Sequence, residues 1–416
     1  MPAHKLAAVL SVLLVSMTVA GARAQSSVRA VAIAGDPAPG GGTFEHFSVE
    51  ALPIVAPANT KGQVAFFATI LRSTASEAFF LASPQRTVRV VAEGDPVPGG
   101  GTFSGFGRHP IPALNERGDV AFAAAIVGGR TVEGIFVRDA RGLRPVVLTG
   151  RGAPGMASGT IAAVDAPALN DHGDLAFLAS VRRGRETVEA VYTVIAGRLA
   201  KVVAQGDPAP AGGTFAGFGP PAINNRRRVA FAAVVEGRAV PGGVFAADGA
   251  TVRMLTGAGS ETPIGGIFVK FSERIALNDA GAVAFTAVLK NAEAEQGVFV
   301  IRDEHVRKVI ALGEPAPDGG TFSHFSLWPA LAADGTVAFA AALDGSAVQV
   351  AVFMTSPRGM VRVVALGDEV GAGRRVGSLG LYPAVSLSPV GGVTFASTPG
   401  AETGTEGLFF VAPTLH

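Results

Sequence analysis

The sequence predicts an all-β protein, a seven-bladed β-propeller of four-stranded antiparallel blades, and three observations predict it. First, the tract Asn-x-x-Gly-x-Val-Ala-Phe recurs, with small changes, at Asn59–Phe66, Asn115–Phe122, Asn170–Phe177, Asn224–Phe231 and Asn278–Phe285. Worn copies follow at Ala332–Phe339 and Ser388–Phe395. Second, each period of about 55 residues holds four strand-like runs parted by turn residues, the content of one propeller blade. Third, the seventh repeat stops at Gly407–Val411 without a fourth run, and an orphan copy of that run stands at Val28–Ala32. The N-terminal strand is therefore expected to complete the last blade and close the ring, which removes both exposed sheet edges.

The first 24 residues read as an export signal rather than as part of the fold. His4 and Lys5 precede an apolar run, Leu6–Ala20, and Ala22-Arg23-Ala24 supplies a small-x-small cleavage pattern before Gln25. That run is short for a membrane span, and no later stretch is long and apolar enough to be one. Residues 25–416 are expected to form one propeller domain, exported to the periplasm or beyond, with no C-terminal anchor. Cysteine is absent, so an exported chain of this kind must be held together by burial alone, which its length permits.

The second repeat shows the elements most clearly. Gly94-Asp95-Pro96-Val97-Pro98 is a turn-rich connector, with proline fixing φ and aspartate able to bond the backbone ahead of it. Residues 101–114 form a first strand, interrupted by Pro110 and Pro112 and so irregularly paired. Asn115-Glu116-Arg117-Gly118 is a hairpin turn, in which Asn organises the start and Gly takes positive φ. Residues 119–126, 134–137 and 144–148 are the second, third and fourth strands. These runs are apolar on both faces, as sheets stacked between other sheets require. A parallel β-helix is the rival architecture, but its coils are shorter and need fewer hairpins.

Composition excludes some functions. Net charge is +1, becoming −1 when the signal takes Lys5 and Arg23 with it, so there is no basic footprint for nucleic acid. A monomer without cofactor is expected.

The tandem Asn-x-x-Gly-x-x-Ala-Phe tract and the Gly-Asp-Pro-x-Pro-Gly-Gly-Gly-Thr-Phe box upstream of it resemble the exported bacterial proteins named for the NxxGxxAF repeat. The resemblance spans nearly all of residues 25–416. It implies a propeller-like repeat and export, and brings no activity or ligand with it. Members often carry a C-terminal surface anchor, and none is expected here. Arg227 also replaces the turn glycine of copy four, and Gly150-Arg151-Gly152 and Gly257-Ala258-Gly259 replace Gly-Asp-Pro.

Motifs for chemistry are few. There is no Gly-x-Ser-x-Gly elbow, no His-Glu-x-x-His and no thiol. The connector acids Asp36, Asp95, Asp207, Glu314 and Asp368 come one to a blade. Calcium needs six to eight converging oxygens, so turn chemistry is the better account and no metal is expected. Arg226-Arg227-Arg228 and Arg182-Arg183-Gly184-Arg185 fall at opposite ends of the blades and read as solvated loop charge. The informative feature is where the repeat varies. One position of the first strand, expected on the channel wall, reads Ile111, Ala166, Pro220, Arg274, Trp328 and Tyr382. His324 of blade six matches His46 of blade one. Blades six, seven and one are contiguous in a closed ring, so His46, His324, Trp328 and Tyr382, with Arg274 alongside, are the expected ligand-binding arc. Aromatic faces with polar tips suit a sugar or small molecule. The function this supports is a non-enzymatic binding or interaction module for a glycan, small molecule or protein. The alternatives are a propeller hydrolase or lyase using His46, His324 or Glu273-Arg274, and a structural surface or matrix component.

Overall fold

Strands that are apolar on both faces need a neighbour on each side, and here the chain provides one by standing seven sheets around an axis. The protein is described from a computed structural model covering residues 28–48, 54–107, 109–237, 240–380, 383–399 and 406–413. Among these described residues every regular element is a strand. Blade one consists of Thr43–Phe44, Val64–Leu71, Glu77–Ala82 and Thr87–Ala92, counted outward from the axis. Blades two to six occupy residues 102–148, 160–204, 214–257, 267–311 and 321–365. The expected export signal lies outside the described residues.

The first strand breaks where its prolines predict. In blade two it is reduced to Thr102–Gly105 and Ala113–Leu114, both paired with Val120–Val127. Pro110 and Pro112 fall in the gap, since neither has an N–H to give to a ladder. The short inner pieces, such as Ala113–Leu114, Ala276–Leu277 and Ala330–Leu331, approach their counterparts in neighbouring blades and surround the axis.

Repeated phenylalanines form the core. The tract Phe stacks on a third-strand aromatic in every blade: Phe66 on Phe80, Phe122 on Phe136, Phe177 on Tyr192, Phe231 on Phe245, Phe285 on Phe299, Phe339 on Phe353 and Phe395 on Phe409. The Phe of the Gly-Thr-Phe box packs edge-on against that third-strand ring, at 5.0 Å for Phe44–Phe80 and 4.9 Å for Phe103–Phe136. Blade three has Ile161, and blade seven Val376, where the box Phe stands in the other five, and the third-strand ring of blade three is Tyr192. The fully buried tyrosine donates its hydroxyl to the Pro154 carbonyl at 3.0 Å, as a buried phenol must. Burial raises its pKa to about 12, with Asp207 adding to the rise.

The ring closes as the orphan strand predicts. Blade seven is Val385–Leu387, Val393–Ser397, Gly407–Val411 and then Val28–Ile33. The N-terminal strand runs antiparallel to the C-terminal one, with Val28 opposite Val411 and Ile33 opposite Gly407. Arg29 adds a tie to blade one. Its guanidinium donates to the Gly62 carbonyl at 2.8 Å and lies 5.3 Å over the Phe410 ring.

Four of the five connector acids are consumed locally. The Asp95, Asp207 and Asp368 carboxylates accept from the N–H groups of Ala92, Ala204 and Ala365 at 2.8–2.9 Å. The same acids face Arg89, Lys201 and Arg362 of the fourth strand, and Glu314 faces Lys308. Among the described residues, no group of three or more histidines and acids has the geometry to hold a metal ion.

Candidate functional site at the axial channel

Two sets of hydrogen bonds tie neighbouring blades together around the axis. At one end, each buried tract asparagine serves two masters. The Asn115 side-chain oxygen accepts from the N–H groups of Arg117 and Asp119, which shapes the turn. Its amide nitrogen donates to the Asn170 carbonyl of the next blade at 3.1 Å. Asn59, Asn170, Asn224 and Asn278 repeat the reach, to the carbonyls of Asn115, Asn224, Asn278 and Ala332. The turn role is the one the sequence predicts; the link between blades is not visible in it. At this end the turns enclose an axial cavity of about 240 Å³, whose wall includes Asn115, Asn170, Asn224 and Asn278.

Toward the other end, a Glu or Gln at the third strand's start accepts from the next blade's inner strand. Glu77 accepts from Phe106 N, Glu133 from Val164 N, Gln296 from Phe325 N and Glu406 from Phe47 N, at 2.9–3.2 Å. The last of these crosses the closing seam. Burial, only partly opposed by the hydrogen bond each accepts, holds the Glu77 and Glu133 carboxyls above the ordinary carboxylate range.

The expected ligand arc is partly brought together. Arg274 stands two residues before Ala276–Leu277, and Trp328 two residues before Ala330–Leu331, on adjacent innermost strands. The Arg274 guanidinium lies 5.3 Å over the Trp328 ring. Nearby, the Thr286 hydroxyl donates to the Ser326 carbonyl at 2.9 Å and pins blade five to blade six. Among the described residues Arg274 donates no hydrogen bond and forms no ion pair, and burial lowers its pKa to about 10. It still carries its charge at neutral pH.

His46 and His324 occupy matching places after the box Phe and are both exposed. His46 is drawn to Glu406, with Nδ1 2.9 Å from the carboxylate, and the hydrogen bond to Glu406 raises its pKa despite some burial. Tyr382 lies outside the described residues. Sequence reasoning missed a second pair, His109 Nδ1 to Asp165 at 2.8 Å, which joins blade two to blade three. Both histidine–carboxylate pairs therefore bridge neighbouring blades. The Arg226–Arg228 run is corrected in part: Arg227 pairs with Asp174 and Arg228 with Asp248, both at 2.9 Å, so two of these three charges are not merely solvated.

The chain matches the family described as a family of unknown function, DUF7453, over residues 15–296 and 241–410, and belongs to it. Among curated proteins no sequence matches it. Solved structures with a similar course include an oligogalacturonate lyase from Vibrio parahaemolyticus, at 12% identity and TM-score 0.48, covering 88% of this chain and 89% of that one. Another is a puromycin-hydrolyzing peptidase from Mycobacterium tuberculosis, at 12% identity and TM-score 0.45, covering 89% of this chain and 55% of the peptidase. The Aleuria aurantia lectin is similar at 9% identity and TM-score 0.37, over 79% of this chain and 99% of the lectin. At these values none of the three bears on activity.

Proposed function

We propose that this member of DUF7453 is an exported, non-enzymatic binding module whose axial channel takes a small molecule or sugar bearing an anionic group. The observation that supports this reading is Arg274. A half-buried cation with no acceptor among the described residues is costly, and a protein gains little from it unless something completes the pair. Trp328 supplies a flat apolar shelf beneath the charge, so a carboxylate on a ring-shaped ligand would meet its counter-ion while its ring lies on the indole. The ionisable pairs that an enzyme would need are instead engaged in holding blades together, which favours binding over catalysis.

The test is isothermal titration of residues 25–416 with glucuronate and with glucose. The acid is expected to bind and the neutral sugar to bind at least about tenfold more weakly, a difference of about 1.4 kcal/mol. Arg274→Met and Trp328→Ala should each abolish the glucuronate signal. Equal affinity for both sugars, or full retention in Arg274→Met, would remove the channel from consideration.

A further inference from the structure

A second feature stands apart from the channel. Between blades one and two a cleft of about 770 Å³ opens at the end of the molecule that carries the asparagine turns. Its cationic lining is all arginine: Arg86, Arg89, Arg117, Arg138, Arg141 and Arg144. These come from three hairpin turns and the strands beside them, in two blades. The cleft extends from the inner turns, where blade three contributes Gly173, to the outer turns at Arg86 and Arg141. A Cβ at Gly173 would lie 2.9 Å from the Arg117 guanidinium, so the glycine lets that arginine cross to the next blade.

Three of the six charges are matched. Asp95 faces Arg89 at 3.3 Å, Asp119 accepts from Arg117 Nε at 2.8 Å, and Asp139 faces Arg144 at 3.2 Å. Arg86, Arg138 and Arg141 form no ion pair among the described residues, although Asp139 accepts from the Arg141 backbone N–H. The cleft therefore carries a local excess of about three positive charges in a chain whose net charge is +1. The choice of arginine over lysine is informative, because the guanidinium fork matches a carboxylate with two parallel hydrogen bonds. Val90 and Val120 give the floor apolar patches. Among the described residues no Phe, Tyr or Trp lines the cleft and the one ring is His172 at its inner end, so it lacks the succession of stacking platforms that single-stranded nucleic acid uses.

We propose that this cleft binds an acidic oligosaccharide, a linear chain with one carboxylate per sugar lying along the row of arginines. The site is separate from the channel and does not depend on it. The experiment is titration of the protein with a short uronate oligosaccharide, a neutral glucose oligosaccharide of equal length and a short single-stranded DNA. It compares the wild type with the triple variant R86S/R138S/R141S. These three side chains hold no ion pair, so the variant should melt with the wild type and isolate binding from folding. The uronate chain should bind, weaken severalfold between about 50 and 200 mM salt, and lose at least about tenfold affinity in the triple variant. Arg274→Met should leave this binding untouched, which separates it from the channel. Undiminished affinity in the triple variant, equal affinity for the neutral chain, no binding of the uronate chain, or tighter binding of the DNA would each overturn the assignment.

Discussion

Removing the strand Val28–Ile33 should unfold the protein rather than trim it. Val31 and Ile33 are 9% and 3% exposed, so losing them forfeits about 3–6 kcal/mol of apolar burial. The antiparallel ladder to Gly407–Val411 contributes about 0.5–1.5 kcal/mol for each hydrogen bond lost. Phe409 and Val411, now almost fully buried, would be left on a bare edge. Together the loss is about 5–10 kcal/mol, comparable to the whole stability of an ordinary folded chain. The assay is urea unfolding of residues 25–416 against residues 34–416, followed by far-UV dichroism and by the fluorescence of Trp328. Because that tryptophan sits in blade six, a shift there shows that the loss is global. Should the truncated chain not fold at all, Ile33→Ala serves as the graded test and should cost about 2–4 kcal/mol. A synthetic peptide of residues 28–35 should then restore the truncated chain. Equal midpoints for the two lengths would refute the closure argument.

Other outcomes follow from single side chains. Arg274→Met should stabilise the ligand-free protein by about 1–2 kcal/mol, because lowering the pKa from 12.5 to about 10 reflects about 3 kcal/mol of burial cost, offset in part by the contact with Trp328. The unfolded chain binds the extra proton between those pH values, so wild-type stability rises through that window and the gain should shrink there. Arg227→Gly removes a non-glycine residue at φ 64° but strands the buried Asp174 carboxylate, and should destabilise by about 1–3 kcal/mol in urea titration at pH 7. Burial opposes the charge of Asp174, yet the Ala196 N–H, Arg227 and Asn170 outweigh it and lower its pKa. That contribution is present above the ordinary carboxylate pKa and is lost as pH falls through the lowered folded value, so the gap between wild type and variant should close in acid. His46→Gln should lower the melting temperature at pH 5.5 and leave it unchanged at pH 9. The raised His46 pKa places its contribution below the ordinary histidine pKa of about 6.5, and the contribution is lost as pH rises through the folded value.

The blade count, the strand order and the closing strand were legible because each is local or repeated. Val28–Ala32 declares itself as a displaced copy, and Asn-x-x-Gly declares a turn. What stayed hidden depends on how one blade is set against the next. The Asn115 amide could be assigned to its own turn from spacing, but its reach to the Asn170 carbonyl exists only once the sheets stand at a fixed angle. Arg227 looked like a flaw in copy four. It is tolerated because its guanidinium runs back to Asp174 of blade three, a partner the chain itself does not announce. The arginine cleft was missed for the same reason. Arg86, Arg117 and Arg141 sit on separate hairpins, and a search for runs of charge passes over them. Comparing turns at the same end of adjacent blades would have gathered them.

Strand Val28–Ile33 is the first of the described residues to be synthesised, and Gly407–Val411 are among the last. That strand must therefore remain without its partner while nearly all the rest of the propeller is translated, and no shorter run of blades can finish the circle. Closure of the ring waits on Gly407–Val411, and premature termination anywhere upstream of them leaves an incomplete product with a sticky edge at both extremities.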